Sequence, residues 1–328
     1  MDTIETLRFL ADLDRYMSLL EKLGPEPSIG QPFGGHTNLP NIFFVDSVSG
    51  SAANSGRRPN QAVVTIDAAV GLCTANNGDI IVVLPLHVET ITAAAGLALD
   101  VAGITVIGIG SGASRPQINF TTAVGASAVV SAASITLQNL LFTGGFDALT
   151  GPIDIQAADC KMYDFETRDV TGQMTDCIVT TLAADRFHIK GWLHSGATAA
   201  GADTALSIVG GDGIIVEDFD IFGNFAVAAI ENVTTAATNL RIGGGSGENY
   251  IQQGLDSATP VAVTLAAAST GHVGPNIHAR IGVDATSNAA NITEAFVGAA
   301  MQFFQPINIC NLGGEVAMQS NITATTDA

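Results

Sequence analysis

Two aspartates, Asp164 and Asp218, are the residues whose positions could support acid–base chemistry, and Glu166 is a third candidate. Paired carboxylates cleave glycosidic bonds, one acting as an acid and the other as a base or nucleophile. The aspartates hold the same position in repeats two units apart, so stacking would place them about 9.6 Å from each other, at the wide edge for an inverting glycosidase. On a chain with 31 acidic and 12 basic residues, outward acids are more often solvated surface, and we prefer that interpretation.

Within the repeat, the position directly before that of Asp164 and Asp218 is also polar. Tyr163, Lys190 and Glu217 align in successive repeats, with Lys190 one repeat away from Glu217. A cross-strand ion pair of this kind stabilises a fold by only a few tenths of a kcal/mol, and the lysine could equally hold the carboxylate of a sugar. The 12 basic residues are spread over the chain, so we find no cluster of Arg and Lys with which a polysaccharide lyase would neutralise an acidic sugar.

Metal, cofactor and nucleic-acid sites are not predicted. His87 and Glu89 are two positions apart and His272 and His278 six apart; neither spacing matches a metal-ligand pattern, so hydrogen-bonded or surface histidines are expected. The formal charge of −19 would repel a polyphosphate. There is no run of about 18 apolar residues, and the N-terminus is acidic where a signal peptide is basic. We therefore expect no membrane partner and a chain that folds in a cytoplasm.

An internal repeat predicts the elements that would position these side chains. Six anchor residues recur at intervals of 25 to 31 residues, each followed by an inward candidate two positions later and, in most repeats, another five positions later. The six sets are Ile104/Val106/Ile109, Ile135/Leu137/Leu140, Cys160/Met162/Phe165, Phe187/Ile189/Trp192, Ile214/Val216/Phe219 and Leu240/Ile242/Gly245. A step of two is the period of a strand, and the step to five implies a bend that keeps apolar residues inward, so the repeats predict a solenoid of stacked coils.

Stacked coils would bury a core ladder of aromatic rings. Phe165, Trp192 and Phe219 would lie in register, each about 4.8 Å from the next, the spacing of neighbouring strands. Burial of such a ladder could contribute roughly 1.5 to 3 kcal/mol per ring. The single tryptophan is thereby placed inward, whereas a substrate groove would need outward aromatic rings. The other sides of the coils would come from Ile153–Ile155, Ile178–Val179, Ala205–Val209, Ala226–Ile230 and Val261–Leu265.

Composition agrees with an ordered, all-β chain. Hydrophobic residues make up 47% of the sequence and charged residues only 13%, which is far from the signature of disorder. The 36 glycines and the low aromatic fraction of 6% suit short strands and tight turns. The cysteines are widely spaced without a CxxC pair, and we expect them to be reduced core residues: Cys73, Cys160, Cys177 and Cys310.

Three segments are predicted. Residues 1–40 comprise a helix, Met1–Leu23, and an arm rich in proline and glycine; residues 41–268 form the β-helix, with a capping helix near 65–75; residues 269–328, where the repeat weakens, form a C-terminal cap or a subunit-contact region. The N-terminal helix carries an apolar stripe of docking candidates: Leu10, Leu13, Met17 and Leu20. The helix could pack on the solenoid flank instead, but an arm of this composition favours docking or oligomerisation.

The first coil carries a family resemblance. A strand at Ile42–Val45 precedes the run TIDAAVGLCTANNGDIIVVLPLHVETI, which holds a short helix over Thr65–Cys73 with Thr65 as N-cap and a buried strand at Asp79–Leu84. This run, Thr65–Ile91, resembles the first coil of pectin-lyase-like right-handed parallel β-helices, in which a helix covers the open end. A cover is needed because an open solenoid end exposes both core and strand edges. The expected fold is all-β, a right-handed parallel β-helix with an N-terminal α-helix and extended arm.

The small coils, rich in Ala, Thr and Gly and lacking a recognisable catalytic cluster, resemble β-helical virion proteins of tailed bacteriophages. The resemblance implies a homotrimer on the surface of a phage particle, assembled in the host cytoplasm. The leading hypothesis is a non-enzymatic structural protein, a capsid decoration or head spike that residues 1–40 attach to the capsid or other virion proteins. The alternative is a tailspike-type protein that binds a host surface glycan or degrades it as a lyase or glycoside hydrolase, with Asp164, Asp218 and Glu166 as the catalytic candidates.

Overall fold

The structure is a computed structural model that describes residues 40–169, 174–197, 201–232, 234–253, 261–266, 268–281, 291–294, 301–303 and 307–311. The expected helix Met1–Leu23, its docking candidates and most of the proline-rich arm lie outside the described residues. All the described strands belong to one compact unit, Asn41–Ala328. In the described ranges, no helix is long and apolar enough to cross a membrane.

The regular secondary structure of the described chain is almost entirely short strands, joined by turns. One helix, α1 (Ile66–Val70), and two 3₁₀ turns, Pro59–Gln61 and Gly112–Ser114, interrupt them. The strands are β1 (Ile42–Val45), β2 (Ile80–Val83), β3 (Val88–Thr90), β4 (Leu97–Leu99), β5 (Thr105–Gly108), β6 (Gln117–Phe120), β7 (Ala128–Val130), β8 (Thr136–Gln138), β9 (Leu141–Gly144), β10 (Thr150–Ile155), β11 (Lys161–Tyr163), β12 (Glu166–Asp169), β13 (Asp176–Thr180), β14 (His188–Ser195), β15 (Thr204–Ser207), β16 (Ile215–Gly223), β17 (Ala228–Asn232), β18 (Leu240–Ile242), β19 (Asn249–Gln253), β20 (Val261–Leu265), β21 (Gly271–Val273), β22 (Ile277–Ile281), β23 (Asn291–Glu294), β24 (Met301–Phe303) and β25 (Ile307–Asn311).

Every pairing between these strands is parallel and joins one coil to the next. One inward position runs through six successive coils in strict register: Ile81, Val106, Leu137, Met162, Ile189 and Val216. A second sheet runs from β4 through β7, β10, β13, β15, β17 and β20 to β23. Each of the five segments that were expected to supply the other sides of the coils contributes to it, Ala205–Val209 and Ala226–Ile230 only in part. The predicted parallel β-helix is therefore confirmed, because only stacked coils pair strands in this order.

The predicted core ladder is present. Phe165 and Trp192 stack with ring centroids 5.8 Å apart and planes 8° from parallel. Trp192 pairs in register with Phe219 on the next coil. All three side chains are 1% exposed. Phe142 extends the ladder on the other side with an edge-to-face contact, its ring centroid 6.5 Å from that of Phe165.

Two of the expected inward positions are wrong. Ile109 is only half-buried, and Gly245 is exposed. The run Gly243–Gly247 loops out of the coil, with left-handed φ values of 94°, 84° and 82° at its first three glycines. The chain rejoins the register four residues later than the repeat predicts, so the residue that follows Phe219 in the ladder is Asn249. Asn249 is fully buried, and its Oδ1 accepts a hydrogen bond from the backbone N–H of Phe219 at 3.4 Å.

The N-terminal end is covered as the first coil predicts. Strand β1 matches the expected bounds and pairs in register with β2. The helix α1 is shorter than expected but begins where predicted, because the Thr65 side chain accepts a hydrogen bond from Ala68 N at 3.1 Å. Burial of Ile66, Ala69 and Val70 packs this helix onto the core.

The coils continue past Ala268, where the sequence repeat weakens. Strand β21 pairs with β18 and β24, and β22 pairs with β19 and β25, so the parallel register reaches Asn311. The roles expected for residues 269–328, a cap or a subunit contact, stay predictions.

A glycine in this late part of the solenoid should be sensitive to substitution. Gly271 has a φ of 131°, and a Cβ there would overlap the backbone carbonyl of Leu240 on the preceding coil. We expect Gly271→Ala to lower the free energy of unfolding by roughly 2 to 4 kcal/mol, from backbone strain and overpacking. Urea denaturation measures the change, with Gly125→Ala as the control because a Cβ there meets no atom within 4 Å. Equal midpoints for the two variants would contradict the register of β21 on β18.

Candidate functional site

The two candidate aspartates occupy the corners of coils on either side of Gly191. Asp164 and Asp218 have left-handed backbones, with φ of 51° and 54°, and Gly191 between them has φ of 68°. Asn139 holds the same corner one coil before Asp164, with φ of 54°. Asn, Asp and Gly are the residues that tolerate this conformation, so the corner itself accounts for the residue types found there.

Hydrogen bonds from neighbouring coils engage both carboxylates. Asp164 Oδ2 accepts from Gln138 Nε2 at 3.3 Å, and a Cβ at Gly191 would lie only 2.6 Å from Asp164 Oδ1. Asp218 Oδ1 accepts from the backbone N–H of Gly247 at 2.7 Å, and its Oδ2 lies 3.3 Å from Lys190 Nζ. The two aspartates are thus separated by the coil of Gly191 and each is held at its own corner.

Glu166, the third candidate, lies between two arginines that the repeat alignment did not bring together. Its Oε2 is 3.1 Å from Arg115 Nη1, and its Oε1 is 2.6 Å from Arg168 Nε. Glu166 is 8% exposed, so the pairs are partly desolvated. Arg115 is 51 residues away in the chain. The strand register could have revealed this contact, because Gln117, two residues after Arg115, aligns through Leu141 with Glu166.

The polar file next to the corners forms a connected side-chain network on this outer face. Tyr163, Lys190 and Glu217 align in register as predicted. His188, which the repeat alignment missed, joins them: its Nδ1 lies 3.0 Å from the Tyr163 hydroxyl and its Nε2 lies 3.1 Å from Glu217 Oε1. Lys190 Nζ lies 3.2 Å from the same Glu217 oxygen. We call Tyr163, His188, Lys190 and Glu217 the polar cluster.

The contacts fix the direction of the hydrogen bonds. Because the Glu217 carboxylate can only accept, His188 donates from Nε2, which leaves Nδ1 to accept from the Tyr163 hydroxyl. The signal for His188 in the sequence was its position directly after the buried anchor Phe187, which turns it outward beside Tyr163. A polar residue one position after an anchor, such as His188, therefore lies on the surface next to the residues three positions after the anchors, such as Tyr163 and Lys190.

The pKa shifts in the polar cluster have clear causes. Burial raises the pKa of the Tyr163 phenol, and the Glu217 charge raises it further. Burial also lowers the pKa of His188, an effect that the hydrogen bond to Glu217 opposes. The hydrogen bond to Glu217 raises the pKa of Lys190. At neutral pH the cluster therefore holds a protonated phenol, an uncharged imidazole and an ammonium group.

This arrangement can bind hydroxyl groups and relay a proton, but it is poorly suited to an acidic sugar. The Lys190 ammonium is already paired with Glu217 and Asp218, so it is not available to the carboxylate of a uronic acid. In the parts of the chain that the structure describes, no three His, Cys, Asp or Glu side chains are grouped so that they could hold a metal ion.

The remaining histidine predictions fall elsewhere. His87 is fully buried, accepts the backbone N–H of Ser47 at Nδ1 (3.0 Å) and contacts Glu89 through Nε2 (3.1 Å), which confirms a hydrogen-bonded histidine. His278 stacks on Tyr250 with ring centroids 5.1 Å apart. Of the cysteines, Cys160 and Cys177 are buried, Cys73 is half-buried and all three are free thiols; the Cys310 side chain lies outside the described part.

Fold and site together define a parallel β-helix protein with an internally paired polar cluster on one outer face. A scan against models of known protein families gives no match, and a sequence search of curated proteins gives none either. Among solved structures, a rhamnogalacturonan lyase is similar at 11% sequence identity, with 80% of this chain and 87% of that chain covered and a TM-score of 0.42. The fold assignment rests on the strand register, and a likeness at this level says nothing about activity.

Proposed function

We propose that this chain is a non-enzymatic structural protein of a tailed bacteriophage particle, a capsid decoration or head spike attached through residues 1–40. One observation carries the proposal. The candidate acids Asp164 and Asp218 accept hydrogen bonds from neighbouring coils at their corners. Glu166 forms ion pairs with two arginines of its own chain. Such contacts are typical of side chains with a structural role. None of the three needs a substrate to explain its position.

The architecture suits that role. Parallel pairing in register from β1 to β25 gives a body in which each coil rests on its neighbours, and the loop after β1 and helix α1 cover the outer edges of β1 and β4 at the N-terminal end. On this proposal the protein associates with itself, as a homotrimer, and with capsid or other virion proteins, and it reaches the particle surface after assembly in the host cytoplasm. It requires no cofactor.

Removal of residues 1–40 tests the attachment. We expect the shortened chain to keep the circular dichroism spectrum and thermal midpoint of the body, because the compact unit begins at Asn41. It should no longer join particles, which electron microscopy and mass spectrometry of purified virions would show. The full chain with Leu10→Asp and Leu20→Asp should behave like the deletion, whereas Glu5→Gln should not. Normal incorporation of the deleted chain would refute attachment through this segment.

A second candidate function is binding or cleavage of a glycan at the polar cluster. The observation that favours it is the continuous contact from the Tyr163 hydroxyl through His188 to Glu217, since such a relay can move a proton. Because Lys190 is already paired with two acidic side chains, a neutral sugar is favoured over an acidic one. The glycan would come from the host surface, and the protein would then act as a tailspike-type depolymerase or glycan-binding protein.

Incubation of the protein with host surface polysaccharide separates the two functions. The structural proposal predicts no new reducing or unsaturated ends. If cleavage occurs at the polar cluster, Glu217→Gln and His188→Gln should each slow it by about 100-fold or more, the usual contribution of general acid–base groups. Ser195→Ala, on the same strand as His188 and outside the cluster, is the control. Cleavage that all three variants retain would place the activity elsewhere.

A further inference from the structure

Three strands at the N-terminal end of the solenoid have no preceding strand on one side. Strand β1 is covered by the loop that follows it, because Phe44 N donates to Gly56 O at 2.7 Å and Val63 N donates to Phe44 O at 2.9 Å. Strand β4 is covered by α1, where Asp67 Oδ1 accepts from Ala98 N at 3.1 Å. Among the strands that the structure describes, the third, β3, pairs only with β6.

No described strand pairs with the outer edge of β3, which we call its open edge. Gln117 N donates to His87 O at 2.9 Å and Ile91 N donates to Asn119 O at 2.8 Å, so these residues direct their backbone groups toward β6. Alternation along a parallel strand then directs Val88 and Thr90 to the opposite edge. There, Val88 N donates to Ser47 Oγ at 2.9 Å. Within the described residues, the Val88 carbonyl and the Thr90 N–H and carbonyl have no hydrogen-bond partner.

A groove of about 360 Å³ runs along this edge, between the strand and the cap. Its walls include Thr65 and Asp67 of the cap and Val88, Glu89 and Thr90 of β3. Val88 is 47% exposed, and Val48 beside Ser47 is 79% exposed. Unpaired backbone groups beside exposed apolar side chains are the features to which an added strand binds.

The groove is also acidic. Glu89 Oε2 accepts from Ile66 N at 2.9 Å and lies 3.1 Å from His87 Nε2, while the other oxygen of this carboxylate receives no hydrogen bond from the described chain. Asp67 adds a second carboxylate to the wall, and none of the residues that line the groove is basic. A cationic side chain would therefore be attracted to this edge.

We propose that the open edge of β3 is a docking site for an extended segment of a partner protein, which adds as a strand and places a lysine or arginine near Asp67 and Glu89. The backbone of the segment pairs with Val88 and Thr90, and its apolar side chains lie on Val88 and Val48. The site does not depend on the structural role proposed above, because the edge would be equally open in an enzyme.

The test uses the full chain and a short blocked peptide of alternating threonine and valine with one central lysine. Calorimetry and NMR titration should show saturable binding, with shifts of the Thr90 amide. A central glutamate in place of the lysine should weaken binding about tenfold or more, and Asp67→Asn, which keeps an acceptor for Ala98 N, should weaken the lysine peptide selectively.

Backbone pairing is tested by Thr90→Pro, which removes the unpaired N–H at an edge position where proline is tolerated. We expect binding to be lost in this variant and kept in Thr90→Val, with both proteins folded by circular dichroism. No binding of the lysine peptide to the wild type overturns the proposal, and so does equal binding by the two Thr90 variants. Self-association that Thr90→Pro abolishes, without peptide binding, would assign the edge to a second copy of this chain instead.

Discussion

Phe219→Asp is expected to abolish the folded solenoid. The side chain is 1% exposed and pairs in register with Trp192 in the core ladder. The substitution removes a buried ring, which costs about 3 to 5 kcal/mol, and buries an unpaired charge, which costs several more. That sum is comparable to the whole stability of a domain, so the variant should be insoluble or show no cooperative thermal transition by circular dichroism and size-exclusion chromatography.

Leu193→Asn is the control for this prediction, because asparagine has the shape of aspartate but adds no charge beside Glu166 and Asp220, with which Leu193 pairs in register. Leu193 follows Trp192 on β14 but faces outward and is 43% exposed, so a polar side chain there remains solvated. We expect its thermal midpoint to stay near that of the wild type, since surface substitutions change stability by about 0.5 kcal/mol or less. A soluble, cooperative Phe219→Asp protein, or two variants that unfold alike, would contradict the inward register of the ladder.

The sequence was sufficient to predict the solenoid and its register. An apolar residue and a second one two positions later define a strand that buries one face, and their recurrence correctly predicts that Met162 pairs with Ile189 and Ile189 with Val216. The prediction failed at Gly245 because nothing in a repeat alignment distinguishes a glycine at a coil corner from a glycine in an extra loop. Asn249, a polar residue at a core position, carried no signal at all.

The outer face was predicted less completely, for a physical reason. Buried apolar residues recur at regular intervals in the sequence, whereas polar contacts between coils depend on how far each side chain extends across the neighbouring strands. The alignment therefore found Tyr163, Lys190 and Glu217 in one file but missed His188, which belongs to the neighbouring outward file. Arg115 was harder to find because it reaches Glu166 from a coil corner outside any strand.

Acid should destabilise this protein through His194, a histidine inside the solenoid. Thr167 Oγ1 accepts from Trp192 Nε1 at 2.8 Å, so its hydroxyl donates to His194 Nδ1, also at 2.8 Å. His194 is fully buried, and burial lowers its pKa to about 3. An unfolded histidine has a pKa near 6.5, so between these values the unfolded chain binds a proton that the folded chain does not. The stability from His194 is complete above about pH 6.5 and is lost as the pH falls toward 3.

His194→Gln isolates this contribution, because the glutamine carbonyl still accepts from Thr167 but does not titrate. Comparison of urea denaturation at pH 7.5 and 4.5 should show the wild type losing roughly 2 to 3 kcal/mol more than the variant, at about 1.4 kcal/mol per pH unit below 6.5. Other groups with shifted pKa, such as the half-buried His188 and the carboxyls of Asp176 and Glu231, are present in both proteins and cancel in the difference. His188→Gln should reproduce only a small part of the effect, because that ring is more exposed. Parallel pH profiles for wild type and His194→Gln would contradict the burial of this imidazole in the core.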